Sequence, residues 1–207
     1  MDLAREARWG RTEETYGEDP FLTAKLGASF VRGLQGDDKK YLLAAACAKH
    51  FAVHSGPEPS RHSDNFNPTA YDLWDTYLPA FKELIVKADV AGVMCAYNAI
   101  NTQPCCANDF LMNDILRNQW KFTGYVTSDC WAIDDFFRYH KTHKDSTSSA
   151  IDAVIHGTDL ECGRTVYLAL IDAVKKGLIK ESQIDISLRR LFTIRYRLGM
   201  FDPVSMV

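Results

Sequence analysis

The sequence predicts an α/β fold of the (β/α)8 TIM-barrel type, in which the first strands of the barrel are missing. Three observations lead there. Short apolar runs alternate with amphipathic helical stretches, the pattern of βα units built on a parallel sheet. Several of those runs end on polar groups, as barrel strands do when they deliver side chains to one mouth. The strand count is four or five, whereas a closed barrel needs eight strands and typically about 250 residues.

Taken in order, residues 1–3 read as a strand stub, and residues 21–34 as a helix closed by Gly36. The apolar run 41–47 leads into Ala48-Lys49-His50-Phe51 as a strand with polar groups at its back. Residues 70–88 form one predicted helix, with Leu73, Trp74, Tyr77, Leu78, Phe81, Leu84 and Ile85 on a single stripe. A strand over 91–97 follows, then a helix over 108–120 with Leu111, Met112, Ile115 and Leu116 facing inwards. Residues 124–129 are the next strand, bounded by Gly124 and ending on Asp129. Beyond lie a helix at 148–155, a short strand at 158–160 and a helix at 166–176. A last helix covers 185–198, with Asp185 as its N-cap and Gly199 as its stop.

Composition excludes some classes. The chain of 207 residues has a hydrophobic fraction of 46% and a charged fraction of 25%, ordinary values for a globular domain. A formal charge of −3 supplies no electrostatic footprint for nucleic acid. No apolar run approaches a membrane span, and Met1-Asp2-Leu3-Ala4-Arg5 is not a signal peptide. No Gly-rich phosphate loop is present, which disfavours a phosphate-binding barrel enzyme. The six cysteines form no paired C-x-x-C knuckles, so a zinc site is not expected. Cys95 with Cys105 or Cys106, and Cys130 with Cys162, are candidate disulfides in an oxidising compartment. Free thiols serving as small buried apolar groups fit the spacing equally well.

The most informative stretch is Gly124-Tyr125-Val126-Thr127-Ser128-Asp129-Cys130-Trp131-Ala132. In a barrel, Asp129 stands at the catalytic mouth; read alone, it equally well caps the next helix. His50 and His54 raise a metal reading, which strand geometry disfavours by placing them about 13 Å apart. Neither a metal nor a cofactor is expected.

Together, Ala7-Arg8-Trp9-Gly10-Arg11, Glu13 to Pro20, Ala48 to Phe51, Val93 to Asn98, the Asp129 strand, Gly157 to Gly163 and Ser187 to Phe192 change the balance. In this order they resemble glycoside hydrolase family 3, the retaining β-glucosidases and β-xylosidases, over essentially the whole chain. The resemblance implies a covalent glycosyl-enzyme on Asp129. It also implies sugar hydroxyls bound by Lys49, His50 and Arg11, and Tyr97 donating its hydroxyl to the nucleophile. Trp131 either stacks on a sugar or closes the mouth. Arg8 is expected to brace the loop through Glu13, Glu14 or Asp19. Retaining chemistry needs a second carboxyl about 5 to 5.5 Å from the first. In the family that acid/base stands on a second α/β domain, so the chain is expected to be the C-terminal part of the barrel domain alone. Partnering with missing barrel segments, the second domain or another copy follows as an expectation. The resemblance also suggests a secreted or periplasmic protein.

The β-N-acetylglucosaminidase branch instead takes its acid/base from an Asp-Ser-His on a barrel loop. Here Ser60-Arg61-His62 stands at that spacing, with Ser60 in place of the Asp. That departure disfavours the branch, whereas residues 72–81 and 103–108 look most like xylosidase-type members. The alternatives to a working glycosidase are a truncated sugar-binding fragment without turnover and this acetylglucosaminidase branch.

Overall fold

The computed structural model describes residues 1–163 and 165–206. Helix α1 spans Pro20–Gln35: Asp19 caps it by accepting from the Leu22 N–H, Pro20 starts it, and Gly36 at φ 77° ends it. Strand β1 is Cys47–Phe51 and β2 is Asn65–Phe66. Helices α2 (Ala70–Asp72) and α3 (Pro79–Ala88) follow, then β3 (Gly92–Cys95), β4 (Ala99–Ile100) and β5 (Gln103–Pro104). After a π-helical segment, Phe110–Gln119, come β6 (Tyr125–Ser128), α4 (Ala132–Arg138), α5 (Ser146–Ile155), α6 (Ala169–Lys175) and α7 (Glu181–Arg197).

Two small sheets position everything else. The first has the parallel order β1-β3-β6, extended by a single parallel bridge from Thr127 to Leu160. One face of it is fully buried, with Ala48, Phe51, Val93, Cys95 and Val126 almost wholly inaccessible, whereas Cys47, Lys49, Met94 and Tyr125 on the other face are half-buried. Gly124 is required where it stands, because a Cβ there would run into the Ala91 carbonyl. The second sheet, β2-β4-β5, closes through a two-residue turn in which Asn101 and Thr102 both take positive φ. By pairing β2 with β4 it ties the 54–66 loop to the segment after Tyr97.

Several predicted elements shift. The run 41–46 is not strand; β1 begins at Cys47. Residues 1–3 form no strand, and 158–160 contribute one bridge in place of a strand. The 70–88 helix is broken, because Pro79 has no N–H and its ring disfavours a helical turn before it. The Leu78 N–H instead reaches back five residues to Leu73, and a new helix starts at Pro79. The last helix starts at Glu181, where Gln183 accepts from the Lys180 N–H. Asp185 therefore lies one turn inside it and is not its N-cap. The helix at 166–176 is shortened to α6. Helix α4 has no counterpart in the predicted elements.

Candidate active site

The C-terminal ends of β1, β3 and β6 converge on Asp129. Its amide N–H donates to the Cys95 carbonyl at 3.1 Å, the last tie between this segment and β3. Asp129 is 6% exposed. Oδ1 accepts from the Cys130 N–H at 2.8 Å. Oδ2 faces His50 Nε2 at 3.2 Å and Arg11 Nη1 at 3.7 Å, with no well-directed hydrogen bond among the described residues. One oxygen is thus held by backbone while the other looks into a cationic, nitrogen-rich wall.

His50 is fully buried. Its Nδ1 and backbone N–H both bind Asp2, at 2.6 and 3.0 Å. A hydrogen bond from Nδ1 to a carboxylate fixes the tautomer and leaves Nε2 turned to the site. Arg11 Nη2 donates to that Nε2 at 3.0 Å, and Nη1 approaches His54 Nε2 at 3.3 Å. Burial works to raise the Asp2 carboxyl, but the His50 hydrogen bond and nearby cations overcome it and bring it to about 2.

Lys49 stands one step away. Its ammonium donates to Glu14 Oε2 at 2.7 Å, and the same oxygen accepts from Arg11 Nη2 at 2.9 Å. Those bonds, Arg11's first, lower Glu14 to about 2. Adjacent strand residues ordinarily face opposite ways. Here the β1–β3 register slips between Ala48 and Phe51, a bulge-like irregularity of the kind that re-aims side chains. Tyr97 is buried within the field of Asp129; burial first, and the carboxylate's charge second, push its hydroxyl pKa up.

The structure therefore brings Asp129, Arg11, His50 and Tyr97 together, with Lys49 joined through Glu14. Other expectations are corrected. Arg8 does not brace the loop through Glu13, Glu14 or Asp19: it is exposed and pairs with Glu6 at 2.8 Å, while Glu14 belongs to Arg11 three residues earlier on a helical turn. His50 and His54 are not about 13 Å apart, since their rings pack at 4.7 Å. The strand ends at Phe51 and the chain turns back through Val53 at φ 61°, so strand rise does not apply. The Arg11 guanidinium occupies the place between the two Nε2 atoms that a metal would need. Nor is His62 without an acidic partner: its Nδ1 meets Asp135 Oδ2 of α4 at 2.7 Å. Burial raises Asp135 to about 6, and the His62 ring packs 4.3 Å from Tyr97.

Asp2 and Asp135 are members of this cluster that sequence reasoning missed, while Glu14 was expected only to brace Arg8 and His54 was weighed only as a metal ligand. For Asp2 the signal was present: an acidic residue in an otherwise apolar strand-like start needs a buried partner. Asp135 gave none, because its helix was not foreseen.

Both candidate disulfides are formed, Cys95–Cys106 and Cys130–Cys162, while Cys47 and Cys105 remain thiols. The profile of the glycosyl hydrolase family 3 N-terminal domain matches residues 1–194. The chain belongs to glycosyl hydrolase family 3. Among curated relatives, a xylan 1,4-β-xylosidase of Xylanibacter ruminicola is 47% identical, covering 100% of this chain and 24% of its own length. β-D-Xylosidase 1 of Arabidopsis thaliana is 41% identical over 98% of this chain and 27% of its own. Among solved structures, an exo-β-xylosidase in complex with a xylobiose aziridine activity-based probe superposes with a TM-score of 0.93 at 34% identity, over 97% of this chain and 27% of that one. A β-glucosidase from Erythrobacter marinus gives 0.92 at 32%, over 98% and 27%. The chain thus spans about a quarter of the length of the family members it matches.

Proposed function

We propose that this chain supplies the nucleophile and much of the sugar-binding wall of a retaining β-glycosidase acting on non-reducing-end β-D-xylosides or β-D-glucosides. The observation that carries the reading is the Asp129 carboxylate, with Oδ1 held by a backbone N–H and Oδ2 unengaged between His50 and Arg11. Attack by Asp129 on the anomeric carbon forms a glycosyl ester as the leaving-group oxygen departs; water then cleaves the ester. Arg11, His50 and Lys49 bind the sugar hydroxyls, and Tyr97 holds the carboxylate. The xylosidase names among the relatives favour a xyloside.

We further propose that the β1-β3-β6 sheet and its Leu160 bridge are an arc of a (β/α)8 barrel, with its first strands and the acid/base domain outside this chain. The exposure of Phe21 and Phe30 on α1, 70% and 60%, supports packing against such a neighbour. The two disulfides favour an oxidising compartment.

Incubation with activated 2-fluoro-β-xyloside and 2-fluoro-β-glucoside tests the reading. A good leaving group needs little protonation, so the first half-reaction does not depend on the acid/base. A mass gain mapped to Asp129, absent from Asp129→Asn, is expected, with the xyloside faster. Folded protein that never gains mass is instead a sugar-binding fragment without chemistry. The His62–Asp135 pair gives the acetylglucosaminidase branch one favourable observation; faster labelling by the 2-acetamido analogue 5-fluoro-β-N-acetylglucosaminyl fluoride would select it.

A further inference from the structure

The Cys130–Cys162 disulfide begins one residue past the carboxylate assigned to attack the sugar. Because the Cys130 N–H donates to Asp129 Oδ1, the direction of that carboxylate depends on where the backbone of residue 130 is held. Beyond the last ladder pair, Cys95 with Ser128, the segment leaves the β3–β6 ladder. It then turns through Trp131 at φ 65° before α4 begins.

What holds this turn is the loop that follows Leu160. The Ser128 N–H donates to the Leu160 carbonyl at 2.8 Å and the Trp131 N–H to the Cys162 carbonyl at 2.7 Å. The Cys162 N–H donates to Ser128 Oγ at 2.9 Å. These bonds are individually weak, and the disulfide is the one covalent tie between the two loops. Cys130 and Cys162 are partly exposed, whereas Cys95 and Cys106 are wholly buried. A soluble dithiol therefore reaches the pair beside Asp129 first.

We propose that the Cys130–Cys162 disulfide is a positioning clamp that holds the Asp129 carboxylate in its attacking orientation, and that reducing it slows sugar transfer without unfolding the domain. The inference rests on Asp129 being the nucleophile. In the reduction a dithiol thiolate attacks one sulfur, and the other leaves as a thiolate and takes a proton. The second thiol of the reductant then closes a cyclic disulfide and releases the remaining cysteine thiol. Two electrons pass from the dithiol to the protein disulfide.

The test uses the oxidised protein treated with dithiothreitol, its freed thiols located by alkylation and mass. Two quantities are read before and after: hydrogen exchange at the Cys130 and Trp131 amides, and the rate of Asp129 labelling by activated 2-fluoro-β-xyloside. Reduction confined to Cys130–Cys162 should speed exchange at both amides by about tenfold or more and slow labelling by about tenfold or more, with unchanged far-ultraviolet circular dichroism. The Cys130→Ser/Cys162→Ser double variant should behave as the reduced protein. Unchanged exchange and labelling in protein reduced at Cys130 and Cys162 overturn the clamp. Faster exchange on reduction with no labelling in either form supports the hold on the loop and overturns Asp129 as nucleophile.

Discussion

Replacing Asp2 by Asn tests the site through a residue that touches no sugar in the proposed reaction. Asp2 accepts two hydrogen bonds from His50, through Nδ1 at 2.6 Å and the backbone N–H at 3.0 Å, and is 6% exposed. Burial alone would raise its pKa above the ordinary 3.8; the His50 hydrogen bond and neighbouring cations bring it to about 2 instead. That difference corresponds to roughly 2 kcal/mol of folded-state stability. Because the folded pKa is depressed, the contribution is complete above pH 3.8 and is lost as the pH falls through about 2. Asp2→Asn keeps the shape and removes the charge. At pH 7 it should lower Tm by roughly 4–8 °C, given the few degrees per kcal/mol expected of a domain this size. The gap between parent and variant should close between about pH 4 and pH 2. Scanning calorimetry at pH 7, 4 and 2.5 measures this directly. Equal Tm values at pH 7 would falsify the proposed Asp2–His50 coupling. A parallel readout is the His50 Nδ1 proton, whose low-field resonance should vanish in Asp2→Asn.

Two further outcomes follow from the same wall. If the Tyr97 hydroxyl donates to Asp129 during sugar transfer, Tyr97→Phe should slow labelling by roughly tenfold to a hundredfold, since a hydrogen bond to a charged group contributes about 1.5–3 kcal/mol; parental labelling kinetics would assign Tyr97 to the core alone. Burial, with His50 and Arg11 adding repulsion, lowers His54 from 6.5 to about 4. Its neutral form therefore contributes stability that is complete above pH 6.5 and lost as the pH falls towards 4. The His54 ring resonances should stay flat from pH 8 to 6 and move only below; a midpoint near 6.5 would contradict its buried placement.

How much was legible differs by residue. Asp129 could be placed at a strand mouth because a β-rich run bounded by Gly124 ends on it, and the structure has that strand ending at Ser128. The disulfide pairs were readable only as alternatives: Cys105 and Cys106 are neighbours in sequence, and the choice of Cys106 is made by the 3-10 turn that aims one of them at Cys95. The long helix over 70–88 follows from its apolar stripe, yet backbone chemistry at Pro79 overrides the stripe and divides it.

Apolar periodicity, the stop at Gly36 and the strand ending on Asp129 are local properties, and the sequence by itself determined them and the α/β class they compose. Short-range sterics and burial of one face operate within a few residues, so they can be read in one dimension. The partners of the charges could not be. Asp2 reaches His50 across 48 residues and His62 reaches Asp135 across 73, while Arg11 comes to lie between two histidines that strand rise would separate. A buried carboxylate or imidazole accepts whichever counter-group the packed strands bring within about 3 Å. Only the tertiary structure decided those pairings, and with them which oxygen of Asp129 is left without a directed hydrogen bond.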